Sequence, residues 1–413
     1  MGKLKNSNKR IFLCLILVII LTGLLACDNI QDNNKTETPT PDTIEDVDNN
    51  VIIDFSYAKE APAVNHNTFF EPVKVKGLFV NAHNAGSSSS LDNLIKIADE
   101  TEVNAFVIDV KDDNGYITFE MDLPVVNEVD SDRKIIRDID GLMDKLYKHD
   151  IFPIARIVCF KDKYLAKNEK DYAIKNKDGS LWYYENIAWL NPYNRDSWEY
   201  IVDIAKEAAK VGFKEIQFDY IRFEATSSLR NADLGPESED KKRTEIILEF
   251  LDYANEELED YNVVISADVF GIIFLSHRDG ENIGQDYIEM SKRLDVISPM
   301  VYPSHYGKGG YYGAPSDIHS DWYPYEILYG SMMNSNKELD KIPEKENRPI
   351  VRPWLQAFTA KHLKSPNYRV YGGEELREQI QGTYDAGLEE WILWNSSSNY
   401  NTFLDGLLKE GEE

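Results

Sequence analysis

Cysteine and histidine are scarce in this sequence. It has 3 cysteines and 7 histidines among 413 residues. Cys14 lies in an N-terminal apolar run and Cys27 follows that run, which leaves Cys159, in an apolar strand pattern, without a partner. We therefore expect no disulfide, and the dispersed histidines argue against a zinc site. The sequence predicts neither a metal ion nor a cofactor.

Several signatures of nucleotide-binding proteins and hydrolases are also missing. The glycines at 307, 309 and 310 are not followed by the Lys-Ser or Lys-Thr that a phosphate-binding loop requires. The sequence contains neither Gly-x-Ser-x-Gly nor His-Glu-x-x-His. Serine hydrolases of the nucleophile-elbow type and zinc peptidases are therefore disfavoured.

Basic residues are outnumbered by acidic ones. Lys and Arg together number 45 and Asp and Glu 72, which gives a formal net charge of -27. Such a surface repels the phosphates of nucleic acids and anionic lipid headgroups. We therefore expect no nucleic acid partner, and neutral or cationic polymers are the easier partners.

The N-terminal segment has the order of an export signal. Basic residues precede an apolar run at 11–21, and the sequence LLAC follows at 24–27. LLAC resembles the lipobox of bacterial lipoproteins, which implies a signal peptide at 1–26 and a lipid on Cys27. An uncleaved signal anchor is the alternative. Both predict an extracytoplasmic protein, and the first predicts one that is lipid-anchored to the bacterial cell membrane.

The composition changes twice along the chain. Residues 27–70 are rich in Asn, Asp, Thr and Pro and have few large apolar residues, which is typical of a disordered tether. Residues 71–413 alternate apolar strands with amphipathic helices, so we predict one α/β domain and expect a monomer. The predicted strands are 75–80, 104–109, 152–158, 215–223, 263–271, 295–301, 349–355 and 390–394. The predicted helices are 91–101, 135–149, 196–211, 244–258, 284–293, 321–334 and 374–386.

Eight alternations of this kind favour a closed (β/α)8 TIM barrel with extended loops. In such a barrel, side chains at the carboxyl ends of the strands converge on one mouth. Polar and aromatic residues follow nearly every predicted strand. The candidates for contacting a substrate there are Asp109, Arg156, Arg222, Tyr302, His305, Trp354, Gln356, Trp394 and Asn395.

Two carboxylates at the ends of the fourth and fifth strands are the strongest candidates for chemistry. Asp219 is the candidate nucleophile or charge stabiliser, and Arg222 is expected to keep it ionised. Asp268 is the candidate general acid and base, with Phe270 excluding water from it. The alternatives are an Asp-Arg pair that braces a loop and a structural Asp that accepts backbone amides. Glu224 is the substitute acid if Asp268 is structural.

Asp109 ends the second strand. It is interpreted either as a clamp for substrate hydroxyls or as part of a calcium site built from clustered oxygens. Asp112 and Asp113 stand before Asn-Gly, so we assign them mainly to a turn.

A series of motifs makes the fold assignment specific. VKGLFV at 75–80, NAFVIDVKDD at 104–113, FDYIRF at 218–223, SADVFG at 266–271 and SPMVYP at 298–303 resemble the motifs of a glycoside hydrolase-like domain family of bacterial secreted proteins and lipoproteins. The resemblance implies a TIM barrel with polysaccharide-directed activity. In barrel glycosidases of the α-amylase type, an Asp also ends the fourth strand, whereas the residue corresponding to Asp268 is usually Glu.

The leading hypothesis is therefore a membrane-anchored extracytoplasmic glycoside hydrolase that cleaves a polysaccharide or oligosaccharide with Asp219 and Asp268. Carboxyl groups about 5 to 5.5 Å apart would retain anomeric configuration, and a larger separation would invert it. A glycan-binding lipoprotein without turnover is the alternative. A deacetylase is a third hypothesis, but it would normally need a metal site.

Overall fold

The computed structural model describes residues 73–408. The predicted signal peptide at 1–26, the lipidation site Cys27 and the predicted tether at 27–70 lie outside these residues. Between residues 73 and 408, every helix is too short or too polar to cross a membrane.

Eight parallel strands close into a barrel, as the sequence predicts. The seventh strand has two short segments, separated at Arg352 and Pro353. Each strand pairs with the next one in the chain, and the last pairs with the first. The strands are β1 (Lys76–Val80), β2 (Ala105–Lys111), β3 (Phe152–Val158), β4 (Glu215–Asp219), β5 (Val264–Phe270), β6 (Val296–Met300), β7 (Ile350–Val351 and Trp354–Gln356) and β8 (Trp391–Trp394).

Helices connect the strands and pack around the barrel. The helices are α1 (Ser88–Glu100), α2 (Ile139–Lys148), α3 (Arg195–Val211), α4 (Arg243–Leu258), α5 (Tyr287–Ser291), α6 (Pro324–Leu339) and α7 (Gly373–Asp385). Shorter helical segments lie in the connecting loops, and the 3₁₀ helix Asn401–Gly406 follows β8. Because each helix returns the chain to the start of the next strand, the N-terminal ends of the helices lie at the barrel mouth.

Local sequence explains where the long helices begin and end. The Asn194 side chain accepts hydrogen bonds from the amides of Asp196 and Ser197 at the start of α3. The same helix ends at Gly212, whose φ of 114° is readily adopted only by glycine. In α1, Leu91, Leu94, Ile95 and Ala98 recur at helical spacing and are buried against the barrel.

Strand alternation divides the apolar core into two parts. One set of side chains points outward and packs between the strands and the helices. The other set points into the barrel and includes Phe79, Val107, Ile154, Trp354 and Ile392. The interior is therefore filled with side chains and is not a channel.

A buried ionic cluster occupies the amino end of the barrel interior. We call Glu215, Ser266, Arg352 and Glu390 the amino-end cluster. Arg352 donates to both carboxylate oxygens of Glu215, at 2.7 and 2.8 Å, and to Glu390 Oε2 at 2.8 Å. The Ser266 hydroxyl donates to Glu215 Oε1 at 2.6 Å. Each ionised group therefore has a partner, as buried charges require.

Candidate active site

Alternation along β4 aims one series of polar side chains into the barrel. Glu215, Gln217 and Asp219 occupy every second position, while Ile216 and Phe218 pack outward. Asp219 comes last and therefore lies nearest the mouth. The same phase on β3 places Arg156 in the interior.

Arg156 connects two of the predicted site residues, Asp109 and Asp219. Its Nη1 donates to Asp109 Oδ1 at 2.6 Å. Its Nε and Nη2 both donate to Asp219 Oδ2, at 2.9 and 2.5 Å. All three side chains are nearly inaccessible to solvent. Charge-assisted hydrogen bonds of this kind fix both carboxylates in position.

Asp113 extends the same network toward solvent. Its Oδ2 lies 3.3 Å from Arg156, and its Oδ1 accepts from Lys161 Nζ at 2.9 Å. Burial alone would raise the pKa of Asp113, but Arg156 and Lys161 outweigh that effect and lower it to about 2. Asp112 forms the predicted turn by accepting the amides of Asn114 and Tyr116, and Asp113 lies in the same turn while its side chain also contacts Arg156 and Lys161. We call Asp109, Asp113, Arg156, Lys161 and Asp219 the mouth cluster.

Asp109 is the carboxyl group of the mouth cluster whose negative charge the nearby cations compensate least. Burial raises its pKa to about 7 in spite of Arg156, and the charge of Asp113 adds to that rise. The physical cause is that burial removes the carboxyl group from water, and Arg156 offsets this only in part. A third ionised carboxylate would leave an excess negative charge in a buried site.

Asp268 lies on the neighbouring strand with a different partner. Its Oδ1 accepts a hydrogen bond from Trp354 Nε1 at 2.7 Å. Burial, followed by the charge of Asp219, raises the pKa of Asp268 well above its usual range. Burial likewise raises the pKa of Tyr302, and Asp268 and Asp219 add to that rise. These three groups therefore share one site.

Aromatic rings form one wall of this site. The Arg156 guanidinium lies 5.6 Å from the Phe79 ring centre and 5.3 Å from that of Trp394. Trp354 meets Trp394 nearly edge to face at 5.6 Å. Trp394 packs against Phe79 at 4.3 Å and is only half-buried, so part of it remains accessible at the mouth.

Arg222 does not contact Asp219 as predicted. Its Nη1 donates to the carbonyl of Phe223 at 2.9 Å and lies 3.7 Å from Glu224, the substitute acid. The guanidinium packs on Trp189 and Phe270 instead. The chain turns at Tyr220, where φ is 49°, so Arg222 no longer follows the inward series of β4. The prediction from sequence proximity was therefore wrong: the cation that contacts Asp219 is Arg156 and not Arg222.

Three further candidates lie beside the site, Gln356 at the end of β7 and the other two in loops. Gln356 is fully buried and accepts from the Ser304 amide, while its side-chain amide donates to Asp321. Asn395 donates to the carbonyls of Ala357 and Asn399. Both side chains thus hold mouth loops in place. His305 is exposed and lies edge to face with Tyr302 at 5.1 Å.

Lys161 and Tyr220 were not among the sequence candidates. Lys161 donates to the Tyr220 hydroxyl at 3.0 Å, and the Tyr220 amide donates to Asp219 Oδ1 at 2.6 Å. Tyr220 could have been identified from the sequence, because it directly follows Asp219 in the FDYIRF motif. For metals, no group of three or more His, Cys, Asp or Glu side chains within residues 73–408 is arranged to hold an ion.

A family model described as "Putative glycosyl hydrolase domain" matches residues 77–400. The chain belongs to this family. The resemblance inferred from the motif series is thereby confirmed. Membership supports a glycosidase with a carbohydrate substrate. The comparison with curated proteins gave no match.

Solved structures show the same fold. The PgaB (BpsB) glycoside hydrolase domain from Bordetella bronchiseptica is 14% identical, with a TM-score of 0.57 over 82% of this chain and 99% of that one. A chitobiase from Flavobacterium johnsoniae is 9% identical, with a TM-score of 0.51 over 81% of this chain and 48% of that one. A hypothetical protein from Ruminiclostridium thermocellum is 40% identical over 46% of this chain and 97% of its own, with a TM-score of 0.43.

Proposed function

We propose that this protein is a lipid-anchored, extracytoplasmic glycoside hydrolase that cleaves a polysaccharide with Asp219 as nucleophile and Asp268 as general acid and base. The observation that carries the proposal is the contrast between the two carboxyl groups. Asp219 accepts three hydrogen bonds, two of them from the Arg156 guanidinium, so a cation contacts it directly. Asp268 is buried with one neutral donor, and its raised pKa favours the protonated acid.

The strand register supports a pair that acts on one bond. Phe218 of β4 pairs with Ala267 of β5, so Asp219 and Asp268 follow at the same level on adjacent strands. Adjacent strands are about 4.8 Å apart, and both side chains point inward. Inward-pointing carboxyl groups on adjacent strands can therefore approach to the roughly 5 to 5.5 Å that retention requires. We therefore propose that anomeric configuration is retained.

The reaction would proceed in two steps. Asp219 attacks the anomeric carbon as the glycosidic C–O bond breaks, and Asp268 gives its proton to the departing oxygen. A glycosyl ester on Asp219 results. Asp268, now ionised, takes a proton from water, which attacks the anomeric carbon and releases the sugar and the Asp219 carboxylate.

The remaining candidates are proposed to bind the sugar. Trp394 is partly accessible at the mouth, where the apolar face of a sugar ring can stack on it. Tyr302 and His305 lie together beside the carboxyl pair. Gln356 and Asn395 use their side-chain amides within the protein, so their proposed part is to position the loops.

Anchoring through Cys27 and an extracytoplasmic location are proposals that rest on the N-terminal sequence alone. The apolar run at 11–21 and the LLAC sequence support them. Mass spectrometry of the membrane fraction tests them directly: a diacylglyceryl group on Cys27 is expected, and an unmodified Cys27 in a chain that starts at Met1 would contradict the anchor.

Glycan binding without turnover is the second candidate function. The observation that favours it is that Arg156 engages Asp219 through two nitrogens, which reduces the freedom of the carboxylate to attack. In this case the mouth cluster would only shape a binding cleft.

Incubation with a panel of bacterial surface polysaccharides distinguishes the two candidates. The unmodified chain should release new reducing ends from at least one polymer, while Asp219→Asn and Asp268→Asn should each reduce that release by a factor on the order of a thousand. Asp317→Asn is the matched control, because Asp317 is exposed in the loop after β6. Binding without release by the unmodified chain across the panel would support the second candidate instead.

A further inference from the structure

A cavity of about 430 Å³ opens beside the N-terminal ends of α3 and α4. Tyr193, which precedes α3, and Arg243, the first residue of α4, both line it. These helix ends lie at the same end of the barrel as the carboxyl ends of the strands. The cavity therefore opens on the face of the molecule that carries Asp219 and Asp268.

Two arginines, Arg230 and Arg243, line the cavity, and neither forms an ion pair with a carboxylate among residues 73–408. Arg243 donates to the carbonyl of Asn282 at 2.6 Å and lies over the Phe223 ring, both of which are neutral partners. Arg230 is exposed and makes no hydrogen bond or ion pair with any residue from 73 to 408. Burial, and to a smaller extent the charge of Arg230, lowers the pKa of Arg243. An anion placed between the two groups would relieve this repulsion.

The other charges around the cavity do not cancel this effect. Lys241 is paired with Glu237 and Glu249, at 2.9 and 2.7 Å, so its charge is already balanced. Glu281 is the acidic residue in the lining, and it is exposed to solvent. In a chain with a net charge of -27, a cavity whose lining has four basic residues and one acidic residue is a local exception.

The cavity is connected to the proposed catalytic residues through Phe223. This residue stands four positions after Asp219, and its ring contacts both Tyr193 and Arg243. Four residues of extended chain span at most about 14 Å, and the lining residues lie a further 5.1 Å (Arg243) and 5.7 Å (Tyr193) from the Phe223 ring. That distance corresponds to a few sugar units, so one polymer chain can reach both places.

We propose that this cavity binds an anionic group of the glycan, a carboxylate or a phosphate, and thereby selects acidic polysaccharides. The inference rests on the proposed function, because it names a class of substrate for the same mouth. Guanidinium groups suit either anion, since both present oxygens that accept paired N–H donors. The protein's overall charge would slow the approach of such a polymer, while the cavity would hold it once bound.

Binding measured without turnover tests this proposal. The full chain, kept in mild detergent and carrying Asp219→Asn so that no polymer is consumed, is titrated with three probes. They are oligogalacturonate, its fully methyl-esterified form and a poly(glycerol phosphate). Arg230→Gln should weaken binding of the charged probe about tenfold, while Arg230→Lys should restore part of it. Lys96→Gln removes the same charge from an exposed position on α1 and should change binding less than twofold.

The outcomes separate the two anions and the two proposals. A loss confined to oligogalacturonate identifies a carboxylate, and a loss confined to poly(glycerol phosphate) identifies a phosphate. Equal affinities of Arg230→Gln and Lys96→Gln, or tight binding of the methyl ester, would overturn the anion site and leave the proposed hydrolase intact. Binding with the predicted Arg230 dependence, but no cleavage by the chain with Asp219 intact, would overturn the hydrolase and leave the anion site.

Discussion

The two ends of the barrel interior each hold an arginine between two carboxylates, yet they differ in what surrounds the pair. At the amino end, Arg352 joins Glu215 to Glu390. At the mouth, Arg156 joins Asp109 to Asp219, and a further buried carboxyl, Asp268, lies beside them.

What separates the two clusters is whether every carboxyl group has a cation as its partner. In the amino-end cluster every carboxylate contacts the arginine, and Ser266 satisfies a further oxygen. At the mouth, Asp268 has a tryptophan N–H and no cation as its hydrogen-bond partner, and burial raises its pKa well above the usual range. Burial also raises the pKa of Glu390 at the amino end, but Arg352 contacts that carboxyl group directly. A buried ion pair by itself is therefore a poor sign of function, whereas a buried acid without a cation as its partner is a good one.

The largest expected effect concerns catalysis at the mouth. Asp268→Asn should lower kcat/KM on the order of a thousandfold, because it removes the proton donor, while the free energy of unfolding should stay equal or rise. Glu215→Gln should lower the free energy of unfolding, since it weakens the contact with Arg352. It should leave kcat/KM nearly unchanged, because the mouth stays intact. Reducing-end assays and urea titrations on both variants measure this. Loss of stability without loss of rate in Asp268→Asn would erase the distinction between the clusters.

The next effect concerns stability at the amino end. Arg352→Met should lower the free energy of unfolding by about 3 kcal/mol or more, because it leaves Glu215 and Glu390 buried without their cation. Urea denaturation followed by circular dichroism measures the change. The folded fraction of Arg352→Met should keep kcat/KM within a few-fold of that of the unmodified protein. A thousandfold loss of kcat/KM in that fraction would show that the amino end takes part in catalysis.

A smaller effect concerns the pH dependence of stability. The folded pKa of Asp109, about 7, lies above its unfolded value of about 4, so its contribution to stability is present at low pH and is lost as pH rises through 7. Between pH 5 and 8 the loss should amount to about 3 kcal/mol, most of it below pH 7. Asp109→Asn should remove this slope. Parallel curves of unfolding free energy against pH for the two proteins would show that Asp109 stays ionised beside Arg156.

The smallest effect concerns the alkaline limb of the rate profile. The Trp354 N–H bond stabilises ionised Asp268, so Trp354→Phe should raise the pKa of that acid further. Because the acid must be protonated to act, the limb of log kcat/KM should move to higher pH by up to about one unit. Trp391→Phe is the control, since the buried Trp391 donates to Tyr384 and not to Asp268. An equal movement in both variants would mean that the contact is irrelevant to proton transfer.

Much of the fold could be predicted because the barrel strands are continuous apolar runs. The fifth strand was predicted at 263–271 and is Val264–Phe270, and the third long helix was predicted at 196–211 and is Arg195–Val211. Burial on both faces of a parallel strand selects such sequences, so the pattern is strong. The two-segment seventh strand was the least regular because Pro353 cannot donate a ladder hydrogen bond.

The partners of the site residues could not be predicted in the same way. Arg156 and Asp219 are 63 positions apart, and only strand adjacency brings them together. Proximity in sequence suggested Arg222 instead, and the turn at Tyr220 overrides it. The phase of alternation was an available signal, because it places Arg156 inside the barrel and Arg222 beyond the strand.

Trapping of a covalent intermediate tests most directly whether the mouth pair performs the chemistry. Asp268→Asn is incubated with an aryl glycoside of the sugar that the polysaccharide panel identifies, since its leaving group needs no proton, and is then quenched in acid, digested and analysed by mass spectrometry. The account predicts one glycosyl unit on the peptide that contains Asp219. A glycosyl unit on a different carboxylate, or turnover that persists in Asp219→Asn, would contradict it.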